Sequence, residues 1–243
     1  MKIDVVEKSE LGIKLGRQNI DKKLGVPSPF IDKPAVYVIS GAMGSGKSSL
    51  VGSIMTAKGN NKVFHRVFDK VFYATPQEVY DSEENHPFKN HADERKYFEL
   101  SAGMLFEIQE QAILAKKEGE VSCLILDDFS EVYKIKSIEV QLKKLIFKHR
   151  HTKLNIIITL LTLKSLPKSL RSLIDVFIVF EPKSIIEIES FAEDVFAMKK
   201  NNLQDLMDFV YDVPYNFLFF NQRTKTYYKN FDKLQLVKDE AKK

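Results

Sequence analysis

The chain has 243 residues, 44% hydrophobic and 29% charged, enough to bury most of the surface its unfolded form exposes, in one large domain or two small ones, with no disulfide or metal staple. Its one cysteine, Cys123, excludes an internal bridge and, set in an apolar run, reads as a small buried hydrophobe of a reducing, intracellular compartment. A formal net charge of +4 is too small to mark a nucleic-acid binder by itself, and neither a signal-peptide core after Met1 nor a membrane span of roughly 18 uninterrupted apolar residues is present.

Residues 1–33 are mixed, charged and poorly periodic, with a turn-rich Gly25-Val26-Pro27-Ser28-Pro29 near their end. They read as a leader packed on a domain that spans 34–232. In that domain short β-branched or aromatic runs alternate with helical patterns. Ala35 to Ser40, Val71 to Ala74, Cys123 to Leu126, Asn155 to Leu160 and Val176 to Phe180 read as strands. Strands separated by helices require crossovers, hence an α/β fold with a mainly parallel sheet flanked by helices.

Pro76 to Glu94, which includes His86 and His91, is polar and reads as a long surface loop. Two amphipathic helices follow, with apolar faces at Leu105, Ile108, Ala112 and Ala115 and at Ile138, Leu142, Leu145 and Ile146. Helical patterns also cover Ser184 to Val195 and Leu203 to Tyr211. Phe217 to Asn221 and Thr226 to Phe231 form a C-terminal strand pair that would close a sheet edge, and 233–243 is a polar tail.

The first strand runs directly into Gly41-Ala42-Met43-Gly44-Ser45-Gly46-Lys47-Ser48, a full phosphate-loop match, and Ser48-Ser49-Leu50 opens a helix. That strand–loop–helix context separates a working phosphate loop from a coincidental match. Glycines let the backbone amides turn inward, and the helix N-terminus adds its partial positive charge. Lys47 would reach the β and γ phosphates of ATP, Ser48 would give its hydroxyl to Mg²⁺, and Ser49 would complete the cofactor-binding run from Gly41.

Leu124-Ile125-Leu126-Asp127-Asp128 ends an apolar strand in two acids, which places carboxylates at the carboxyl edge of the sheet, where a polyphosphate would sit. Asp127 is the candidate Mg²⁺ partner, through water. Asp128 is the candidate to orient or deprotonate the attacking water. The interval between Lys47 and Asp127 holds a strand and helices, which suits ring and motor ATPases better than small GTPases or nucleotide kinases. Lys143, Lys144, Lys148, His149, Arg150, His151 and Lys153 crowd one stretch, mostly off the apolar face of its helix, where they are free to meet an acidic partner or water. The five histidines have no cysteine pattern for zinc.

Taken together, the phosphate loop, the Asp127-Asp128 strand, and Lys148-His149-Arg150-His151 followed by Asn155 to Thr159 and Leu166-Pro167-Lys168-Ser169-Leu170-Arg171 resemble the FtsK/HerA-superfamily genome-packaging ATPases of large double-stranded DNA viruses. The likeness spans roughly Pro34 to Phe180. It implies a RecA-like P-loop NTPase that forms a homo-oligomeric ring and uses ATP hydrolysis to thread double-stranded DNA into a preformed capsid through a portal vertex. It further implies an arginine supplied by one subunit to its neighbour's γ phosphate, with Arg150 and Arg171 as candidates, and a location in host cytoplasm, viral factory or virion. Where that family carries a polar sensor at the end of its fourth strand, often Gln, the row here reads Thr159-Leu160-Leu161-Thr162. A hydroxyl of Thr159 or Thr162 would then serve. A second class, an ATP-dependent switch or loader that binds nucleic acid or protein without translocation, shares every one of these motifs. DNA-dependent turnover separates the two.

Overall fold

The computed structural model describes residues 23–82, 87–196, 198 and 200–236. The expected leader over 1–22, His86 and the tail from 237 lie outside the described residues. Of the segment before the first strand, Phe30 is buried and its ring packs edge-on to those of Phe64 and Phe219.

The phosphate-loop strand β1 (Val36–Ser40) leads into helix α1 (Lys47–Thr56), and β2 (Lys70–Ala74) follows. The stretch expected to be an irregular loop, Pro76 to Glu94, instead holds a helix, α2 (Gln77–Ser82), and just after it comes a two-residue strand, β3 (Lys96–Tyr97). Phe88 explains the order: it is buried, and its ring stacks on Tyr73 with centroids 4.3 Å apart, pinning the segment to β2. Helix α3 (Ala102–Lys117) starts where the Ser101 hydroxyl accepts the Met104 amide at 3.1 Å, a local cap that fixes its first turn. Then come β4 (Ser122–Leu126), α4 (Lys136–Lys148), β5 (Leu154–Leu160), a short α5 (Lys168–Arg171) and β6 (Val176–Phe180). The helix expected from Ser184 to Val195 is α6 (Ile185–Phe191) continued as a π-helical turn over Ala192–Phe196. Helix α7 (Lys200–Val210) precedes β7 (Phe217–Asn221) and β8 (Thr226–Lys229), and a further short strand, β9 (Asp232–Lys233), extends the C-terminal pair.

Among the described residues the strands form one sheet in the order β3-β2-β4-β5-β1-β6-β7-β8-β9. The first six in that order are parallel, and the last three join antiparallel. Strand residues alternate between two cores, as a pleat of period two dictates. Val36, Val38, Leu124, Leu126, Ile156 and Ile158 face one core with the apolar faces of α3 and α4. Tyr37, Ile39, Cys123, Ile125 and Ile157 face the other, with Val51, Ile54 and Met55 of α1. Burial on both faces is why these strands read as unbroken apolar runs.

One topological feature sets the site. Strand β5 lies between β1 and β4, so the phosphate-loop strand and the acidic strand are not neighbours. Ser40 aligns with Leu160, and Ile158 with Leu126, which brings the ends of β1, β5 and β4 to one edge.

Candidate nucleotide site

Gly46 caps α1 at φ +101°, and Gly44 stands at φ +73°, conformations that L side chains rarely adopt. Gly41 is required for a different reason. A Cβ there would lie 2.6 Å from Ser45 Oγ and 2.7 Å from Phe180 Cβ. The loop therefore closes tightly against the end of β6. Within it, Lys47 donates from Nζ to the carbonyl oxygens of Gly41 at 2.7 Å and Ala42 at 3.0 Å. Burial holds its pKa below the usual lysine value, while Asp128 and Asp127 oppose that shift.

Asp127 is buried at the end of β4, and its amide donates to the Ala74 carbonyl at 2.8 Å. Its carboxylate collects three hydroxyls. Oδ1 accepts from Thr159 Oγ1 at 2.6 Å and from Ser48 Oγ at 3.5 Å, and Oδ2 accepts from the Tyr73 hydroxyl at 3.2 Å. Three donors compensate the burial of this charge. The next residue turns sharply: Asp128 has φ +60°, and its amide donates to the same Thr159 oxygen at 2.9 Å. The Thr159 hydroxyl thus donates to one acid and accepts from the backbone of the other. Asp128 is half-buried, and burial raises its pKa above the usual carboxylate range, Asp127 and Glu131 adding to the rise and Lys47 opposing it. Beneath the pair, Tyr133 is fully buried, and burial followed by the two carboxylates keeps its phenol protonated.

This donor set fits a nucleotide-borne Mg²⁺. Among the described residues no group of three or more His, Cys, Asp or Glu side chains is placed to hold a metal ion. A cation here would take the Ser48 hydroxyl, the Asp127 carboxylate directly or through water, and oxygens of phosphate and solvent, a ligand set that Mg²⁺ favours. A cleft of about 640 Å³ opens beside the loop, between the start of α1 and Phe180, Tyr215 and Phe217.

The structure brings together Lys47, Ser48, Asp127 and Asp128 as the motifs predict. It separates the two arginines from them. Arg150 follows α4 and precedes β5, so it lies at the amino ends of the parallel strands, the edge opposite the phosphate loop, and is exposed. Arg171 is buried, with Nε donating to the Leu166 carbonyl at 2.9 Å and Nη1 paired with Asp194. Its guanidinium is therefore committed to partners inside the chain. His149, read with the basic run, is also buried: Nδ1 lies 2.6 Å from the Ile146 carbonyl and Nε2 lies 3.5 Å from Asp175. Lys144, Lys148 and His151 remain exposed.

Of the two sensor candidates Thr159 is the one at the acids, whereas Thr162 is exposed and pairs with Ser165 at 3.4 Å. Tyr73 and Tyr133 are site residues that sequence reasoning missed. Tyr73 precedes the end of an apolar strand, which marks the correct edge, but its hydroxyl contact depends on the β2–β4 pairing.

No curated protein sequence matches the chain. Among solved structures, B204, the DNA-packaging ATPase from Sulfolobus turreted icosahedral virus, shares 15% identity at a TM-score of 0.58, over 84% of this chain and 99% of that one. The genome packaging NTPase B204 of Sulfolobus turreted icosahedral virus 2, in complex with ATP-gammaS, shares 14% identity at a TM-score of 0.55, over 83% of this chain and 98% of that one. ATPases 2 and 3 of Thermomonospora curvata EccC share 11% identity at a TM-score of 0.51, over 84% of this chain but 37% of theirs. The likeness to packaging ATPases carried by the motifs thus holds for the fold along nearly the whole of the viral NTPases. No helix among the described residues is long and apolar enough to cross a membrane. Residues 35–197, from the phosphate-loop strand to just past the π-helical turn, match the family model of the NACHT domain, and the chain belongs to that P-loop NTPase family.

Proposed function

We propose that this chain is an ATP-hydrolysing motor that translocates double-stranded DNA, packaging a viral genome into a preformed capsid. The observation that carries the hydrolytic part is the convergence of Lys47, Ser48 and the Asp127–Asp128 pair at one sheet edge, with Thr159 bonded to both acids. Translocation is supported by the fold shared with the viral packaging NTPases over 98% and 99% of their lengths.

In this reading the loop amides and Lys47 bind the β and γ phosphates, exchanging the Gly41 and Ala42 carbonyls for phosphate oxygens. Ser48 and Asp127 would hold Mg²⁺, which would supply charge neutralisation to the phosphates. Asp128 orients the attacking water and accepts its proton, a task favoured by a carboxylate of raised pKa. Thr159 keeps the acids apart in role, donating to the Asp127 carboxylate and holding the Asp128 backbone in its turn.

An exposed Arg150 at the far edge of the sheet cannot reach its own phosphate loop, because β5 alone spans about 20 Å. It is the better placed of the two arginines to serve a neighbouring subunit in a ring. The exposed Lys144, Lys148 and His151 beside it would contact DNA phosphates without reading bases. The capsid portal as docking partner, and the cytoplasm, viral factory or virion as location, follow from the packaging role.

The test is ATP turnover by the intact chain and by Lys47→Ala, with and without long duplex DNA, at low and moderate salt. Turnover that DNA stimulates, that salt weakens and that the substitution abolishes is expected. Slow turnover indifferent to DNA would favour a nucleotide switch or loader.

A further inference from the structure

The cleft beside the phosphate loop has two dissimilar walls. One is the start of α1, through Ser49, Leu50 and Ser53, and the other is aromatic, formed by Phe180 at the end of β6 with Tyr215 and Phe217 at the entry to β7. The Phe180 and Phe217 rings are buried and committed to each other edge to face, with centroids 5.5 Å apart. Tyr215 differs. The residue is 73% exposed, and its backbone is held at φ +66°.

A bulky residue in the left-handed region is an outlier that glycine would relieve, and an exposed ring gains little from packing to offset that strain. The ring nevertheless stands against the loop: Tyr215 Cδ1 would lie 3.8 Å from a Cβ on Gly46, next to Phe180 at 3.7 Å. The acids after β4 lie to one side of the loop strand and β6 to the other, so a nucleotide whose terminal phosphate faces Asp127 and Asp128 would carry its sugar and base toward β6, where this cleft opens. We infer that Tyr215 is the platform on which the nucleobase stacks, with Phe217 and Leu50 forming the apolar floor. The inference rests on the phosphate-loop reading, which it extends from the phosphates to the base.

The test compares binding of Mg-ATP and of Mg-tripolyphosphate, which lacks sugar and base, to the intact chain and its variants. Tyr215→Ala is expected to weaken ATP about 5- to 100-fold and to leave tripolyphosphate unchanged, while Tyr215→Phe retains ATP within about threefold because the π face survives. Tyr215→Gly is expected to weaken ATP equally yet raise the thermal midpoint, since it removes the strained φ. Unchanged ATP affinity in Tyr215→Ala, or parallel loss of both ligands, overturns the platform. If neither ligand binds the intact chain, or Lys47→Ala is silent, the phosphate-loop reading fails and takes the inference with it. A platform that fails alone leaves tripolyphosphate binding and its loss in Lys47→Ala intact.

Discussion

Thr159 on β5 and Asp127, directly after the adjacent β4, are joined by a 2.6 Å hydrogen bond from hydroxyl to carboxylate. Because the same oxygen accepts the Asp128 amide, removing it disturbs both acids at once. Thr159→Val keeps the shape and deletes the hydroxyl. We expect turnover to fall about 10- to 100-fold, the usual cost of losing a partner behind a metal-binding group, with Thr159→Ser restoring most of it. Steady-state ATPase assays over a Mg²⁺ titration check this, and an unchanged Mg²⁺ dependence in Thr159→Val would exclude the link to Asp127.

Asp128 gives a pH prediction with a definite sign. Its folded pKa is raised by burial and by Asp127, so turnover should fall as pH drops through a value above the ordinary carboxylate range of about 4. The stability effect runs the opposite way. A carboxyl that binds its proton more tightly when folded loses stability as pH rises from the unfolded to the folded pKa, and the loss is complete above the folded value. Asp128→Asn should therefore cut turnover by about 10² to 10⁴ while raising the thermal midpoint at neutral pH, and that gain should vanish in acid. Parallel melting and activity profiles decide it.

Gly41→Ala tests the closure of the loop. The added methyl would meet Ser45 Oγ at 2.6 Å and Phe180 Cβ at 2.7 Å, and the second contact lies too near the backbone to swing aside. Overpacking of this kind costs about 1–3 kcal/mol. We expect a lower unfolding midpoint together with weaker ATP binding, read by thermal melts and by titration calorimetry.

The two arginines should separate cleanly. Arg171→Ala removes a buried guanidinium that holds the part-exposed Asp194, which keeps Lys168 as a second partner, and is expected to destabilise by about 1–3 kcal/mol, seen as a shifted denaturant midpoint. Arg150→Ala should instead act on turnover. If it serves a neighbour, mixing inactive Arg150→Ala with inactive Lys47→Ala should recover activity, because some interfaces then pair an intact loop with an intact arginine. Absence of recovery, with mixed oligomers demonstrated by mass, would remove Arg150 from catalysis.

The readable parts of this molecule are those in which local chemistry and tertiary placement agree. Ala35 to Ser40, Asn155 to Leu160 and Val176 to Phe180 are apolar on both faces because both faces are covered, so each was legible as a strand within a residue or so. Lys47 and Ser48 were legible because a phosphate cradle needs contiguous residues. What the sequence hides is pairing across distance. Tyr73 reaches Asp127 only because β2 aligns beside β4, and nothing near Tyr73 in sequence announces that register. Arg171 reads like an exposed motif arginine until Asp194, on the far side of β6, is folded against it. Pro76 to Glu94 reads as loop because its polar composition conceals one anchoring ring, Phe88, whose effect depends on Tyr73.

Among the described residues the sheet ends in β3 on one side and β9 on the other, each two residues long and carrying a lysine at Lys96 and Lys233. Strands so short offer almost no free backbone donors and acceptors to another chain, and a charged side chain further discourages lateral growth. Copies of this protein are thus steered away from joining sheet to sheet into an open ribbon. In the ring proposed above, subunit contacts would fall to helices and loops, which can slide or rotate without breaking a hydrogen-bonded ladder.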